Sequence, residues 1–512
     1  MQLPVNRWWR RLLPSLPAVL AVALLLTLLA QPWRTMMVVS DGDSFLWWRT
    51  GDWMIRQQAI LRSDVFSHTR YGAPFITKEW LANVIFAAAA NAWGLYGLAL
   101  VAATLIAVSF GLLYRQLLRE GNDLLAASAV VLLTVWTACG HWMARPHLFS
   151  FLLLLLAHAA LRRHARDGRT GRLAVVLAVI ALFWVNLHGG FMMLFFLLGA
   201  YGAGAALDRD WPRLRALTGV GALCAVASLA NPNGWALHRH TLQFLSSEYL
   251  TGWVVEFASP DFHAPDACGL LAWLALMFLA LAGRRPKLTA AEGIVVLVWT
   301  YFALFSRRNT AMLALVTAPI FAPVLSDWLR SHSGAFAARA AVINQGAGSG
   351  PVLFAIALLA AVHWPRPIAV DRKQWPVDAV EYVRANPKMF TGNLFNSYVW
   401  GSYLLQALPE HRVFIDSRED FYGEDLLREF SDTMALQGQL SVDVQGARFK
   451  EQDLRAMMEQ RAKWLHTLEK YRIGWTLLPA DHPLNQALAL LPNWACVCRD
   501  DNNTAAIFVK LR

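Results

Sequence analysis

Long apolar runs alternate with short basic loops over the first two thirds of the chain. The apolar share of the 512 residues is 56% and the charged share 16%, whereas a soluble domain has nearer a quarter of its residues charged. Some runs are shorter than the roughly 20 residues of a full span and must include flanking residues. The pattern predicts a polytopic α-helical membrane protein with about eleven transmembrane helices, in the runs 12–31, 94–114, 124–139, 148–161, 173–187, 191–207, 216–230, 267–283, 290–305, 311–325 and 351–364.

Basic residues fall in every second loop. With the N-terminus in the cytoplasm, each inside loop is basic and the outside loops carry few positive charges, as the positive-inside rule requires. The net charge of +11 therefore reports orientation, and no nucleic-acid partner is expected. The inside loops hold Arg115 and Arg119; Arg162, Arg163, Arg166, Arg169 and Arg172; Arg209, Arg213 and Arg215; Arg284, Arg285 and Lys287; Arg330 and Arg339.

The same alternation places every motif-like polar segment on the outer side. One outward-facing site explains this better than chance, which would divide the segments between the two faces. The segments are 41–52, 77–80, 141–147, 186–190, 231–235, 256–263 and 306–309.

The first outer loop, residues 32–80, opens on Asp41-Gly42-Asp43. Ionised groups at a membrane edge need a partner, a metal or water, and a turn at Gly42 would let both carboxylates hold one divalent cation such as Mg²⁺ or Mn²⁺. The alternative is a solvated loop with a turn. Asp41 and Asp43 are therefore candidate metal ligands.

Basic side chains on the same outer side are Lys78, Arg145, Arg307 and Arg308. Guanidinium groups bind phosphate through paired hydrogen bonds, and a lipid phosphate lies at this depth, so the four are candidate substrate-binding residues. Each could instead simply extend to the lipid headgroups. As a set, they suit an anionic leaving group.

The outer loops also carry histidines and acids. His188, with neighbouring imidazoles and Asp41 or Asp43, could form a mixed metal site, although interfacial histidines without a metal fit the spacing better. Glu256 and Asp261 are candidates for acceptor contact, or equally for capping a loop. Glu79 is a further candidate substrate-binding residue.

Residues 365–512 follow the last apolar run and are predicted to form an extracytoplasmic α/β domain, separate from a membrane domain at 1–364. Strand and helix patterns alternate there, which is typical of a layered α/β fold. Segment 326–350 has the composition of a flexible linker. The C-terminal elements are helices at 376–385, 398–407 and about 443–471, and strands at 392–396, 412–416, 475–479, 494–498 and 505–510.

These features together resemble the GT-C superfamily, integral-membrane glycosyltransferases that use polyprenyl-phosphate-linked sugars. The closer likeness is to oligosaccharyltransferase catalytic subunits, whose first loop has an acidic residue before an aromatic-rich helix, as in the run from Asp43 to Arg49. Their soluble domain has a Trp-Trp-Asp-Tyr-Gly motif between a strand and a helix, where this chain has Asn396 to Tyr403. Segments 145–150 and 186–190 are also similar to a group of bacterial membrane proteins.

The resemblance implies a transferase at the outer face of the bacterial inner (plasma) membrane. Asp41 or Asp43 would be the catalytic carboxylate, activating the acceptor or holding a metal, and Asp64 and Glu79 could supply further acidic ligands. Arg307 or Arg308 would meet the lipid phosphate. Trp400 falls in the segment matching the five-residue motif, so it is a candidate substrate contact. The motif's acid has no counterpart, because Val399 or Trp400 stands there, which argues against protein N-glycosylation.

The leading hypothesis is a hexosyl- or pentosyltransferase that moves a sugar from a polyprenyl-(pyro)phosphate carrier to a lipid, glycan or protein acceptor. A transporter or flippase of lipid-linked glycan is a second possibility, but it should place ionisable residues near mid-membrane, whereas this chain has them mainly at one side. A lipid-linked glycan polymerase or ligase could work with a basic pair alone. A non-catalytic assembly scaffold is the fourth hypothesis.

Overall fold

The computed structural model describes residues 14–40, 42–282, 288–344, 350–435 and 463–511, with side chains left out at 332–344. Its helices, in chain order, are α1 Leu16–Leu29, α2 Trp33–Val39, α3 Asp43–Gln57, α4 Trp80–Trp93, α5 Leu95–Arg119, α6 Leu124–Ala138, α7 His147–Asp167, α8 Thr170–Leu187, α9 Met192–Leu207, α10 Trp211–Ser228, α11 Trp235–Ser246, α12 Glu248–Trp253, α13 Cys268–Ala282, α14 Ala290–Phe305, α15 Thr310–Asn344, α16 Gly350–His363, α17 Val377–Ala385, α18 Tyr398–Ala407, α19 Glu419–Met434 and α20 Pro483–Ala489. The strands are β1 Asn393–Asn396, β2 Ile473–Pro479, β3 Trp494–Arg499 and β4 Ala505–Lys510.

The chain divides into two compact units. The membrane unit comprises Met1–Val38, Lys78–Thr241 and Val254–Pro367. The loop–sheet unit comprises Val39–Thr77, Leu242–Trp253 and Ile368–Arg512. The first outer loop therefore clusters with the C-terminal segment, and the domain limits 1–364 and 365–512 stay a prediction.

The described part of the membrane unit has seven helices that are long and apolar enough to span a membrane, or eight if α1 and α2, bent by 70°, form one span. Helices α4, α14 and α16 are apolar but shorter. Over the described residues, each apolar run identified in the sequence coincides with a helix to within a few residues, so the polytopic helical prediction is confirmed. The count of eleven spans is not confirmed.

Local sequence signals set several helix ends in this unit. Asp123 caps α6, since its carboxylate accepts hydrogen bonds from the backbone N–H groups of Leu125 and Ala126. Thr289 and Glu292 form a reciprocal capping box at the start of α14. Helix α7 begins just after Pro146 and ends at Gly168, whose φ of 63° is readily adopted only by a residue without a side chain.

The prediction of a flexible linker at 326–350 is wrong for most of that segment. Helix α15 continues from Thr310 to Asn344. Its sequence is rich in alanine, the strongest helix former, and that propensity prevails over the small-residue composition that suggested a linker.

The loop–sheet unit contains a four-stranded sheet in the order β1-β2-β4-β3. Strand β1 pairs with β2 in parallel, whereas β2 with β4 and β3 with β4 are antiparallel. The predicted helix at 398–407 and the strands matching β1 to β4 are confirmed within a few residues. The predicted helix at 443–471 lies largely outside the described residues, which include only a helical stretch at 463–470.

The prediction of a strand at 412–416 is wrong, because this segment does not join the sheet. Val413 instead forms a single parallel bridge to Ser67 of the first loop. Its N–H donates to the carbonyl of Phe66 at 3.1 Å, and its carbonyl accepts from the N–H of His68 at 3.0 Å. The local pattern predicted an extended chain correctly but could not specify a partner so distant in sequence.

Candidate active site

Several helix ends of the membrane unit carry a set of seven polar residues, here called the cationic cluster. Glu79 directly precedes α4, Arg145 lies just before α7, and His188 directly follows α8. Glu256 lies in a short 3₁₀ turn, Val255–Phe257, and another such turn, Arg307–Asn309, separates α14 from α15. The cationic cluster consists of Lys78, Glu79, Arg145, His188, Glu256, Arg307 and Arg308.

Two members of the cluster, Arg145 and Glu256, form an ion pair. Arg145 Nη1 donates to Glu256 Oε1 at 2.7 Å, and the two side chains are 19% and 18% exposed. Burial raises the pKa of Glu256, but Arg145 and Arg308 lower it more, so the net pKa lies below its ordinary value. The carboxylate is thus ionised at neutral pH, and the guanidinium opposite it remains within reach of solvent.

The two turns that carry Glu256 and the arginine pair are joined to each other. Ser306 Oγ donates to the carbonyl of Glu256 at 2.9 Å, and the backbone N–H of Arg307 donates to the carbonyl of Ala258 at 2.9 Å. The Arg308 guanidinium lies 4.6 Å from the centre of the Phe257 ring, in cation–π range. These contacts fix both half-buried arginines beside Glu256.

His188 is held as a neutral imidazole with a defined tautomer. Its Nδ1 accepts the backbone N–H of Gly190 at 3.0 Å, so the ring proton resides on Nε2. The Ser150 hydroxyl, 2.7 Å from Nδ1, then donates to it, while Trp184 Nε1 donates to the Ser150 oxygen at 2.7 Å. Nε2 lies 3.6 Å from Glu79 Oε1.

The electrostatics around His188 agree with this assignment. Burial lowers the pKa of His188 well below its ordinary value, and the positive charges of Arg308 and Lys78 lower it further. The ring therefore stays uncharged at neutral pH and presents an Nε2–H donor. With four basic and two acidic side chains, the cationic cluster has excess positive charge and suits a phosphate-bearing ligand.

In the loop–sheet unit, Asp43 is the first residue of α3, where the helix dipole favours a negative charge. The predicted acidic residue followed by an aromatic helix is therefore present. Gly42 is closely packed, since a Cβ there would lie 3.1 Å from the carbonyl oxygen of Val399. This close approach fixes the start of α3 beside the Tyr398 segment. Asp41 lies outside the described residues.

Tyr398 interacts with two carboxylates, those of Asp43 and Glu419. Its hydroxyl donates to Glu419 Oε2 at 3.1 Å. Burial raises the pKa of Tyr398 far above its ordinary value, and the charges of Glu419 and Asp43 raise it further. Tyr398 is therefore a neutral donor beside two acids. Trp253, 5.7 Å away between ring centres, packs edge-on against it.

Other predicted acidic and aromatic residues have internal partners. Trp400 is 5% exposed, and its indole N–H donates to the carbonyl of Gln374 at 3.2 Å. Asp64 is fully buried and accepts from Arg418 Nη1 at 2.7 Å and from the Ser67 hydroxyl at 2.6 Å. With its oxygens engaged in this way, Asp64 does not fit the role of a metal ligand.

A divalent cation finds no ready site among the described residues, where no group of three or more His, Cys, Asp or Glu side chains is arranged to hold one. Asp43 and Glu419 supply only two carboxylates near each other. Because Asp41 lies outside the described residues, the metal site at Asp41 and Asp43 stays a prediction, and no step of the proposed reaction depends on it.

The sequence analysis missed Glu419, Tyr398 and Ser150 as site residues. Glu419 belongs to an acidic run at the start of α19, which reads from sequence as ordinary helix-dipole complementation. Ser150 lies inside an apolar run, where a serine usually bonds to its own helix. Only the folded chain shows that Glu419 contacts Tyr398 and that Ser150 contacts His188.

Comparison with known proteins shows the fold. No family model matches the chain, and no curated protein sequence does. The structure is, however, similar over most of its length to GT-C-type oligosaccharyltransferases.

Three solved structures illustrate the likeness. The archaeal oligosaccharyltransferase AglB from Archaeoglobus fulgidus, in complex with an inhibitory peptide and a dolichol-phosphate, matches with a TM-score of 0.62 and 12% identity, covering 94% of this chain and 70% of that one. The Archaeoglobus fulgidus oligosaccharyltransferase in the apo form matches with a TM-score of 0.58 and 13% identity, covering 93% of this chain and 70% of that one. The form tethered to an acceptor peptide with an NVT sequon matches with a TM-score of 0.54 and 14% identity, again covering 93% of this chain and 70% of that one. The predicted GT-C-like fold is confirmed.

Proposed function

We propose that this protein is a glycosyltransferase that moves a sugar from a polyprenyl-(pyro)phosphate carrier to an acceptor outside the cytoplasm. The observation that carries the proposal is the cationic cluster, in which a solvent-accessible arginine, an arginine pair and a neutral histidine donor adjoin one another on a GT-C fold. The similar AglB structure contains a dolichol-phosphate and a peptide, which supports a lipid-linked donor and a separate acceptor.

The cationic cluster is proposed to bind the carrier's phosphate. Arg145 and Arg308 supply charged N–H donors, and His188 Nε2–H supplies a neutral one. When the sugar leaves, negative charge grows on the phosphate oxygen that was bonded to the anomeric carbon. Preorganised donors stabilise that charge more than the ground state, which is the main source of rate enhancement in such sites.

Asp43 is proposed to act as the base for the acceptor. The acceptor's oxygen or nitrogen attacks the anomeric carbon as the carbon–oxygen bond to phosphate breaks, and the acceptor's proton passes to the Asp43 carboxylate. Glu419, held by the Tyr398 hydroxyl, would bind another donor group of the acceptor. General-base catalysis of this kind contributes about 10²–10⁴-fold in rate.

The finer assignments are also proposals. The protein would be multi-pass in the bacterial inner membrane, with a cytoplasmic N-terminus and the loop–sheet unit in the periplasm. The sugar would be a hexose or pentose. The acceptor would be a lipid, glycan or protein.

The test is transfer of radiolabelled sugar from a panel of polyprenyl-phosphate and polyprenyl-pyrophosphate donors by purified protein in liposomes. Wild type is compared with Asp43→Asn and with the matched control Asp425→Asn, an exposed acid in the same unit. We expect transfer by wild type and by Asp425→Asn, and a loss of about 10²-fold or more in Asp43→Asn.

Thermal unfolding of each variant verifies folding. Equal transfer by folded Asp43→Asn and wild type would contradict the role of Asp43 and favour a polymerase or ligase that works through its basic pair. Failure of folded wild type with every donor would contradict the transferase assignment.

A further inference from the structure

The membrane unit has a second basic site, a cavity of about 400 Å³ between α5, α7 and α8. It lies at the end of α7 opposite Arg145, and the 21 residues of that helix span about 30 Å. The arginine cavity, as we name it, is lined by Leu112, Arg115, Gln116, Arg119, Glu120, Leu155, Leu156, Ala159, Ala160, Arg163, His164, Arg166, Asp167, Arg169, Arg172, Leu173 and Val176.

The positive charge of this cavity exceeds what its own acids neutralise. Six arginines face two carboxylates, those of Glu120 and Asp167. Both oxygens of Glu120 are already engaged, Oε2 by Arg162 Nη2 at 2.9 Å and Oε1 by Arg166 Nη2 at 2.6 Å. Among the described residues, the other five arginines of the lining have no carboxylate within ion-pair distance: Arg115, Arg119, Arg163, Arg169 and Arg172.

Apart from Gln116 and His164, the rest of the lining is aliphatic. It comes from the last turns of α5, the second half of α7 with Leu155 and Leu156, and the first turns of α8, and Leu156 is 38% exposed. Arginines that only set orientation need not converge on a cavity, and they need no apolar surface beneath them. A volume of this size also far exceeds one phosphate ion and falls in the range of sites for drug-sized ligands.

We propose that the arginine cavity binds the phosphate headgroup of an anionic membrane phospholipid, with the start of an acyl chain against its leucines. Guanidinium groups match phosphate oxygens bidentately, and basic pockets between membrane helices are suited to anionic headgroups. The site is separate from the cationic cluster and does not depend on the proposed transferase activity. A soluble phosphate compound shares the headgroup chemistry, so the experiment must distinguish the two.

The experiment measures lipid binding to the purified full-length protein in neutral detergent by native mass spectrometry. The probes are short-chain phosphatidylglycerol, phosphatidylcholine with the same chains, and inorganic phosphate as a competitor. The double variant Arg163→Gln/Arg172→Gln is compared with Arg209→Gln/Arg215→Gln, which removes two exposed arginines outside the cavity lining.

We expect phosphatidylglycerol to bind more tightly than phosphatidylcholine, and its affinity to fall about tenfold or more in the cavity variant only. Inorganic phosphate at equal concentration should not displace it. Equal loss in both double variants, or equal binding of the two lipids, would overturn the proposal. Full displacement by inorganic phosphate would overturn the lipid assignment and favour a soluble phosphate ligand. Because all four arginines are exposed, the variants should fold, and thermal unfolding confirms it.

Discussion

Two arginine–carboxylate clusters, one in each unit, differ in how fully they are enclosed. In the loop–sheet unit, Arg418 is 4% exposed and the carboxylates of Asp64 and Asp416 are fully buried. In the membrane unit, Arg145 and Glu256 each retain nearly a fifth of their exposure. The same residue types therefore have different roles, set by solvent access.

The Arg418 cluster is satisfied internally. The Nε and Nη2 atoms of Arg418 donate to the two oxygens of Asp416 at 2.8 and 2.6 Å, and Arg418 Nη1 donates to Asp64 at 2.7 Å. Tyr422 adds a hydrogen bond from its hydroxyl to Asp416 at 2.8 Å. Such a network leaves little capacity for a ligand, and it joins the first loop to the C-terminal segment. The Arg145–Glu256 pair, by contrast, stays partly open to solvent.

The largest expected effect is on stability, from Arg418→Gln. Removing the guanidinium leaves two buried carboxylates without their cation, which costs about 3–5 kcal/mol. The matched change Arg428→Gln removes an exposed ion pair to Glu424, which solvent screens, and should destabilise the protein far less. Thermal unfolding of both variants measures the difference. Equal destabilisation would show that enclosure does not distinguish the two kinds of pair.

Glu419→Gln should have a smaller effect, on acceptor use. The amide keeps a carbonyl acceptor for the Tyr398 hydroxyl but loses the negative charge, so the unit should fold normally. We expect the KM for acceptor to rise about tenfold, as loss of one charged hydrogen bond predicts, with the KM for donor unchanged. Steady-state transfer kinetics measure both constants. A rise confined to the donor KM would contradict the proposed role.

The smallest effect is the pH dependence of stability due to His188. Because its folded pKa is depressed, protonation favours the unfolded state once the pH falls below the ordinary value near 6.5. The neutral His188 ring contributes fully to the free energy of unfolding above that pH. Below it, this contribution declines by up to about 1.4 kcal/mol per pH unit. The melting temperature of His188→Asn should therefore fall less than that of wild type between pH 7 and 5. Parallel curves would contradict a buried neutral imidazole.

Much of the fold could be predicted, because apolar periodicity and helix signals are local. The apolar runs, the helix Tyr398–Ala407 and the strand Ala505–Lys510 all depend on residues close together in sequence. The prediction failed where long-range contacts decide. The segment at 412–416 pairs with the first loop, and Arg418 binds Asp64 across 354 positions. No local pattern encodes such partners.

The candidate site was predicted in the same uneven way. Charge and topology indicated Lys78, Glu79, Arg145, His188, Glu256 and Arg308 as one set, and the structure brings these residues together. The sequence could not show that His188 is neutral, because its tautomer depends on Gly190 N–H and on Ser150, which lies 38 positions away in sequence. The resemblance also indicated Trp400 as a candidate substrate contact, whereas its side chain is buried and donates a hydrogen bond to the carbonyl of Gln374.

Binding of polyprenyl phosphate tests the cationic cluster most directly, with the uncharged polyprenol as reference and with wild type, Arg145→Gln and the exposed control Arg239→Gln compared. We expect the phosphate-dependent affinity to fall about tenfold or more in Arg145→Gln, since one charged donor pair is lost, and to stay unchanged in Arg239→Gln. Thermal unfolding verifies that all three are folded at the assay temperature, since Arg145→Gln also removes the ion-pair partner of Glu256. If Arg145→Gln binds polyprenyl phosphate as wild type does, the cationic cluster is not the carrier site.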